Sequence, residues 1–261
     1  MPGFEEDRDY FNGGHTKATK LKPVKETTSQ GTLSFAKVFG YMFMFLAITA
    51  AVAFGLGYVI YTSFVNTYGA SYNFRTGGQI GPLYLGLIIG SAVGMIITSI
   101  IINVVVIKGK HSVLVPAIIY AVLVGVLFST LTIFVDWKLM GIAFAITCGV
   151  FLIMALIASL SKANFSPLGF IALGLLLGVI PLALINLFFF NETIYWVVSF
   201  VIFAAIMFIT MYDIWRIRKI ADQGQMTRNL SLYCAFIMYT DFINIFIRIL
   251  YYLMIIFGNK K

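Results

Sequence analysis

Seven long apolar runs decide what this chain can fold into. They cover about residues 38–64, 83–107, 113–135, 139–160, 168–190, 194–214 and 230–257. A helix needs roughly 20 apolar residues to cross the hydrocarbon of a bilayer, and each run is near or above that length. Strands of a membrane barrel are about half as long and alternate apolar with polar residues. In lipid, backbone N–H and C=O groups find no water, so a spanning segment outside a closed barrel must be helical. The prediction is an all-α membrane protein, a seven-transmembrane-helix bundle over residues 34–257, with no second globular domain. Composition agrees. Only 11% of residues are charged, against about a quarter in a soluble domain.

The polar remainder is short. Residues 1–33 cannot bury enough apolar surface to fold alone and read as a disordered cytoplasmic tail. Thr32 or Ser34 is placed to cap the first span. Residues 258–261 form a C-terminal tail. The loop 65–82 is the longest connection, and its tyrosines suit a membrane interface. The other connections are short, so neighbouring helices pack antiparallel.

A net charge of +8 raises nucleic acid as a partner, but its distribution follows the positive-inside rule instead. Lysines and arginines gather in the N-terminal tail, after span 2 (Lys108, Lys110), after span 4 (Lys162) and after span 6 (Arg216, Arg218, Lys219, Arg228). The alternate connections carry Arg75 and Lys138. The expectation is a multi-pass protein of a bacterial plasma membrane with a cytoplasmic N-terminus. The C-terminus lies outside if the seventh span crosses fully. Lys260 and Lys261 run against that orientation and leave a re-entrant last segment open. Membrane lipids are the expected surroundings, with no nucleic acid and no identifiable protein partner.

Metal and cofactor signals are absent from the pattern. Cys148 and Cys234 sit in apolar runs and read as small hydrophobes. His15 and His111 stand alone, and no cofactor is expected. Gly86, Gly90 and Gly94, and likewise Gly174 and Gly178, recur at a spacing that places small residues on one helix face and permits close packing. Pro116 and Pro181 are predicted to kink spans 3 and 5.

Against this apolar background, Asp213 and Asp241 stand out. A carboxylate at bilayer depth costs roughly 2.5–3.5 kcal/mol on insertion scales, so it is kept where it pairs, meets water or handles ions. Asp213 falls about eight residues before the turn joining spans 6 and 7, and Asp241 about twelve after it. At 1.5 Å per residue these are roughly 12 and 18 Å of helix, so the two can lie within a turn of each other in depth. Two readings follow. Facing carboxylates share a proton or hold a cation between them, and oxygen ligands suit calcium. That makes the pair an ion-pathway and pH-sensing site, with calcium as permeant ion. In the other reading each aspartate pairs with a neighbouring cation: Arg216 at i+3 from Asp213, Arg248 two turns beyond Asp241, with Lys108 and Lys110 near the mouth. Asn103, Asn186 and Asn244 suit interhelical hydrogen bonds. Asn244, one turn beyond Asp241, is the best placed of them as an auxiliary ligand.

The last third of the chain resembles the transmembrane Bax inhibitor motif (TMBIM) family, also known as the Bax inhibitor or calcium-leak family. The matching elements are Tyr212-Asp213, the charged turn, Leu230-Ser231-Leu232-Tyr233, and Tyr239-Thr240-Asp241-Phe242-Ile243-Asn244-Ile245-Phe246. Lys162-Ala163-Asn164-Phe165-Ser166-Pro167-Leu168-Gly169 is similar to the family's connection before span 5. The resemblance implies a bundle whose last helix is central and kinked. It also implies a non-enzymatic, pH-sensitive calcium leak channel, with Asp213 and Asp241 as sensor and part of the closure. The chain departs from the pattern in three places. Its basic candidates near the end of span 2 are Lys108 and Lys110, not arginine. Span 2 holds no acidic residue, and Arg248 is a charge the motif does not demand.

Other classes fit less well. A non-conducting membrane regulator of stress or cell death, acting through partner helices, is the alternative. An intramembrane aspartyl protease also needs two membrane aspartates, but Asp241 lacks a Gly-x-Gly-Asp surround and no Pro-Ala-Leu follows. A retinal protein needs a lysine in the seventh span, and residues 230–257 contain none.

Overall fold

The structure, a computed structural model, describes residues 24–68, 82–108, 112–161 and 163–258. Seven helices follow in chain order: α1 Val24–Tyr68, α2 Pro82–Lys108, α3 Leu114–Phe134, α4 Trp137–Leu160, α5 Ser166–Phe189, α6 Glu192–Asp222 and α7 Arg228–Gly258. All seven are long and apolar enough to cross a membrane, and no strand occurs among the described residues. The chain is an all-α, multi-pass membrane protein.

Two helices run further than their apolar cores. α1 begins at Val24, ten residues inside the tail predicted to end at 33. Residues 24–37 contain no proline, and extending a nucleated helix is far easier than starting one. Thr32 and Ser34 are therefore interior to α1 and not its cap. α6 continues past 214 to Asp222 as a basic turn end. There Arg218 pairs with Asp222 at 3.2 Å, and Lys219 lies 5.0 Å over the Trp215 ring. Residues 1–23, most of the loop 65–82, His111, Lys110 and residues 259–261 fall outside the described residues.

Helix ends are closed locally. Asp136 caps α4 by accepting from the Lys138 N–H at 3.0 Å, and Asn191 caps α6 by accepting from the Ile194 N–H at 3.2 Å. α5 ends in a left-handed Phe190, and Asn186 accepts the Asn191 N–H at 2.8 Å. Asn186 thus serves this corner and not a second helix.

The buried core draws on α1, α3, α4, α6 and α7, of which α7 carries a large share. That helix packs against α1, α4 and α6, with smaller contacts to α2 and α3. α5 sits on α6 and turns most of its apolar surface outward, as Phe170, Leu177 and Phe188 show. Buried alanines (Ala117, Ala121, Ala143, Ala235) bring the helices close. At mid-bundle Tyr239 is fully buried, with Phe45 and Tyr120 edge-on to its ring at 5.9 and 6.3 Å.

The glycine ladders do not make the closest approaches. A Cβ at Gly86, Gly90, Gly174 or Gly178 would meet nothing within 4 Å. At Gly125 it would lie 2.7 Å from Val52 Cβ and 2.9 Å from the Thr49 carbonyl, so the α1–α3 contact requires that glycine. Spacing alone identifies a face and not what that face meets. Pro116 also differs from expectation. It sits in the first turn of α3, where its missing N–H has no helical partner to lose. Pro181 is the proline inside a helix.

Candidate functional site

The last two helices form an antiparallel pair through the turn 223–227, where Gly224 takes φ +68°. Asp213 lies nine residues before the end of α6 and Asp241 thirteen after the start of α7. These are about 14 and 20 Å of helix. Asp213 is half-buried and Asp241 is 8% exposed. The Asp213 carboxylate is close enough to act electrostatically on Asp241. The two carboxylates predicted to share a depth thus sit on two helices that pack against each other, within electrostatic reach.

Asp241 Oδ2 is buried without a hydrogen-bond partner, alone in this among the described residues. Such an atom forfeits about 1–3 kcal/mol, more when charged. Arg216 acts electrostatically on Asp213, but its own side chain is exposed. The ion pair among the described residues is Arg218–Asp222, and neither Asp213 nor Asp241 takes part in one. Arg248 donates instead to Ser199 Oγ on α6 at 3.2 Å.

Local packing fixes the α6 side. The Tyr212 ring lies 6.1 Å from that of Trp215 and stands 3.3 Å from where a Cβ of Gly169 would be. Gly169 thus lets α5 close on Tyr212 and sets the rotation of α6 next to Asp213. Cys234 on α7 completes the neighbourhood, within electrostatic reach of both Arg216 and Asp213.

The remaining predicted residues are scattered. Asn244 is exposed on α7, and Lys108 is exposed at the end of α2. Asn103 accepts from the Tyr233 hydroxyl at 3.0 Å, an α2–α7 bond of the expected kind. Among the described residues no three of His, Cys, Asp and Glu come together. Calcium takes six to eight oxygens, so two carboxylates can offer a passing ion a foothold but not a cage.

A second polar group escaped the sequence reading. At the end of the α6–α7 pair away from the turn, Tyr252 donates to the Ser199 carbonyl at 3.1 Å. Its hydroxyl oxygen lies 3.1 Å from Ser199 Oγ, which also receives Arg248. Tyr195 and Tyr251 join the same end through their hydroxyls. The available signal was spacing: Ser199 precedes Asp213 by fourteen residues and Arg248 follows Asp241 by seven, and both intervals return a helix to nearly the same face.

Comparison with known proteins adds the family. An inner membrane protein of Escherichia coli strain K12, YbhL, is 28% identical over 148 residues, covering 55% of this chain and 62% of that protein. An uncharacterised protein of Rickettsia prowazekii is 30% identical over 147 residues, 55% of this chain and 60% of its own length. One of Deinococcus radiodurans is 30% identical over 134 residues, 50% of this chain and 58% of its own length. The alignments thus span less than two thirds of these relatives. No solved structure matches. The family described as inhibitor of apoptosis-promoting Bax1 matches residues 32–259, nearly all of the seven-helix bundle, and the chain belongs to that family, the Bax inhibitor or TMBIM family of membrane proteins.

Proposed function

We propose that this protein is a proton-sensitive, calcium-permeable leak channel of a bacterial plasma membrane, not an enzyme, with its N-terminus in the cytoplasm. One observation carries the reading. Asp213 on α6 acts electrostatically on the buried Asp241 of α7, and Asp241 keeps a buried oxygen without a partner. A buried carboxylate pair free of salt bridges has two ways to relieve its repulsion, a shared proton or a bound cation. Protons and calcium therefore both act on this pair, and in the proposed mechanism the proton is the gate.

The sign follows from Arg216. While Asp213 is ionised it attracts this guanidinium, and the attraction helps hold the turn end of α6 in place. Protonation removes it, so the α6–α7 seam loosens and flux rises as pH falls.

The test is calcium flux into proteoliposomes of purified protein from pH 8 to pH 5, beside Asp213→Asn and Asp241→Asn. The expected result is flux that rises toward acid in the unsubstituted chain. Each variant, a fixed neutral mimic, should lose most of that dependence. Folded protein with no flux above empty liposomes at any pH overturns the channel reading and leaves a non-conducting regulator acting through partner helices.

A further inference from the structure

We infer that Arg248 is the specificity-determining residue at the end of the α6–α7 seam away from the turn. In this role it is a fixed positive charge, moored to Ser199, that holds calcium passage low relative to monovalent cations. The inference rests on the cation-path reading of Asp213 and Asp241.

The seam carries opposite charges at its two ends. Asp241 and Arg248 lie seven residues apart on nearly one face of α7, separated by about 10.5 Å of rise. Asp213 and Ser199 lie fourteen apart on nearly one face of α6. Arg248 donates across the seam to Ser199 Oγ at 3.2 Å, which places its guanidinium between the two helices. Ser199 is 3% exposed and is fixed in turn by Tyr252. The Tyr252 ring is held by Phe200 at 5.5 Å and Phe203 at 5.7 Å. The arginine is therefore built into the seam and is not a loose surface charge.

Its chemistry suits a barrier. A guanidinium stays charged at any working pH. Side chains on a helix lean toward its N-terminus, which for Arg248 is the direction of Asp241. Even so, neither aspartate forms an ion pair with it among the described residues, and its positive charge is left uncompensated by them. Pore selectivity is commonly set by such electrostatic barriers.

A cation of charge z meets a barrier proportional to z. Removing Arg248 should therefore raise monovalent flux by some factor and divalent flux by its square. If the field of Arg248 slows potassium about fivefold, the corresponding factor for calcium is about twenty-five-fold. The calcium-to-potassium flux ratio thus rises about fivefold.

The experiment measures calcium and potassium flux in the same proteoliposomes at one fixed pH. Arg248→Gln should raise the ratio about fivefold, and Arg248→Lys, which keeps the charge, should hold it low. Ser199→Asp retains the arginine but neutralises it in place. It should reproduce the Gln result, and it carries the test if Arg248→Gln does not fold. A ratio unchanged in folded Arg248→Gln or Ser199→Asp overturns this inference while leaving the aspartate path standing. Absence of any flux from the unsubstituted protein overturns both.

Discussion

Tyr239 on α7 and Thr49 on α1 join hydroxyls across 2.6 Å at the middle of the bundle. Thr49 gives its own proton to the Ala121 carbonyl on α3 at 3.0 Å, so Tyr239 must be the donor. One threonine thus ties three helices together, through a tyrosine two residues before Asp241. Tyr239→Phe keeps the ring contacts and removes only the donor. Intramembrane hydrogen bonds average about 0.6 kcal/mol and reach about 1.7, so the expected loss is about 1 kcal/mol. Thr49→Val removes both bonds and should cost more. Chemical unfolding in detergent of the two variants and their double mutant would check this. If the double loses the plain sum of the two, the shared bond is not the source.

The α1–α3 contact yields a second expectation. At Gly125 an added Cβ meets the Thr49 backbone carbonyl at 2.9 Å, and backbone cannot rotate aside. Gly125→Ala should destabilise by about 1–3 kcal/mol, the usual range for overpacking. Gly86→Ala meets open space and replaces a poor helix former by a good one, so it should be neutral or stabilising by up to about 1 kcal/mol. Melting temperatures in one detergent decide the matter. Equal effects at the two sites would mean that Gly125 is not at a tight crossing.

Much of this architecture was legible because length and continuity of apolar residues are one-dimensional properties. Seven runs gave seven helices, and the helical rise put Asp213 and Asp241 at comparable depth. Rotation was not legible. A helix that is apolar all round has no polar stripe to show which face is buried. For that reason Asn244, one turn beyond Asp241, could be drawn toward the seam when it lies exposed. Gly86, Gly90, Gly174 and Gly178 likewise read as contacts but are open; of the two ladders only Gly94 meets a neighbour, Leu123, whereas isolated Gly125 and Gly169 also meet theirs. Arg248 shows the same limit. Its face was predictable from the interval to Asp241, but its partner, Ser199, depends on how α6 and α7 lie against each other.

The site's sparse ligand set gives a third expectation. Under the proposed function calcium is cargo, and with no cluster of three or more His, Cys, Asp or Glu among the described residues a structural calcium ion is not expected. Chelation with EDTA should leave the melting temperature unchanged. At pH 8, 10 mM calcium should stabilise by about 1.4 kcal/mol at most if binding is in the millimolar range. Asp213→Asn and Asp241→Asn should abolish that gain. Unfolding on chelation would reveal a tight site that these residues do not supply.

Phe242 turns away from Asp241 at a single step along α7. Asp241 lies on the seam with α6, whereas the next residue turns to α4. Its ring lies 5.6 Å from both Phe144 and Phe151, and the side chain is 2% exposed. Beside it, an apolar cavity of about 270 Å³ reaches Phe128, Phe246 and Trp137. Removing a buried ring leaves its neighbours without contacts, so Phe242→Ala should cost about 3–5 kcal/mol. Phe242→Leu keeps most of the volume and should cost about 1.5 kcal/mol or less. Because the aspartate seam runs on the other side, calcium flux per folded Phe242→Leu molecule should keep its rise toward acid. Thermal unfolding and flux measured on the same preparation distinguish the two roles. A leucine variant whose pH dependence flattens like that of Asp241→Asn would move the ion path to the α4 side of the helix and through the aromatic cavity.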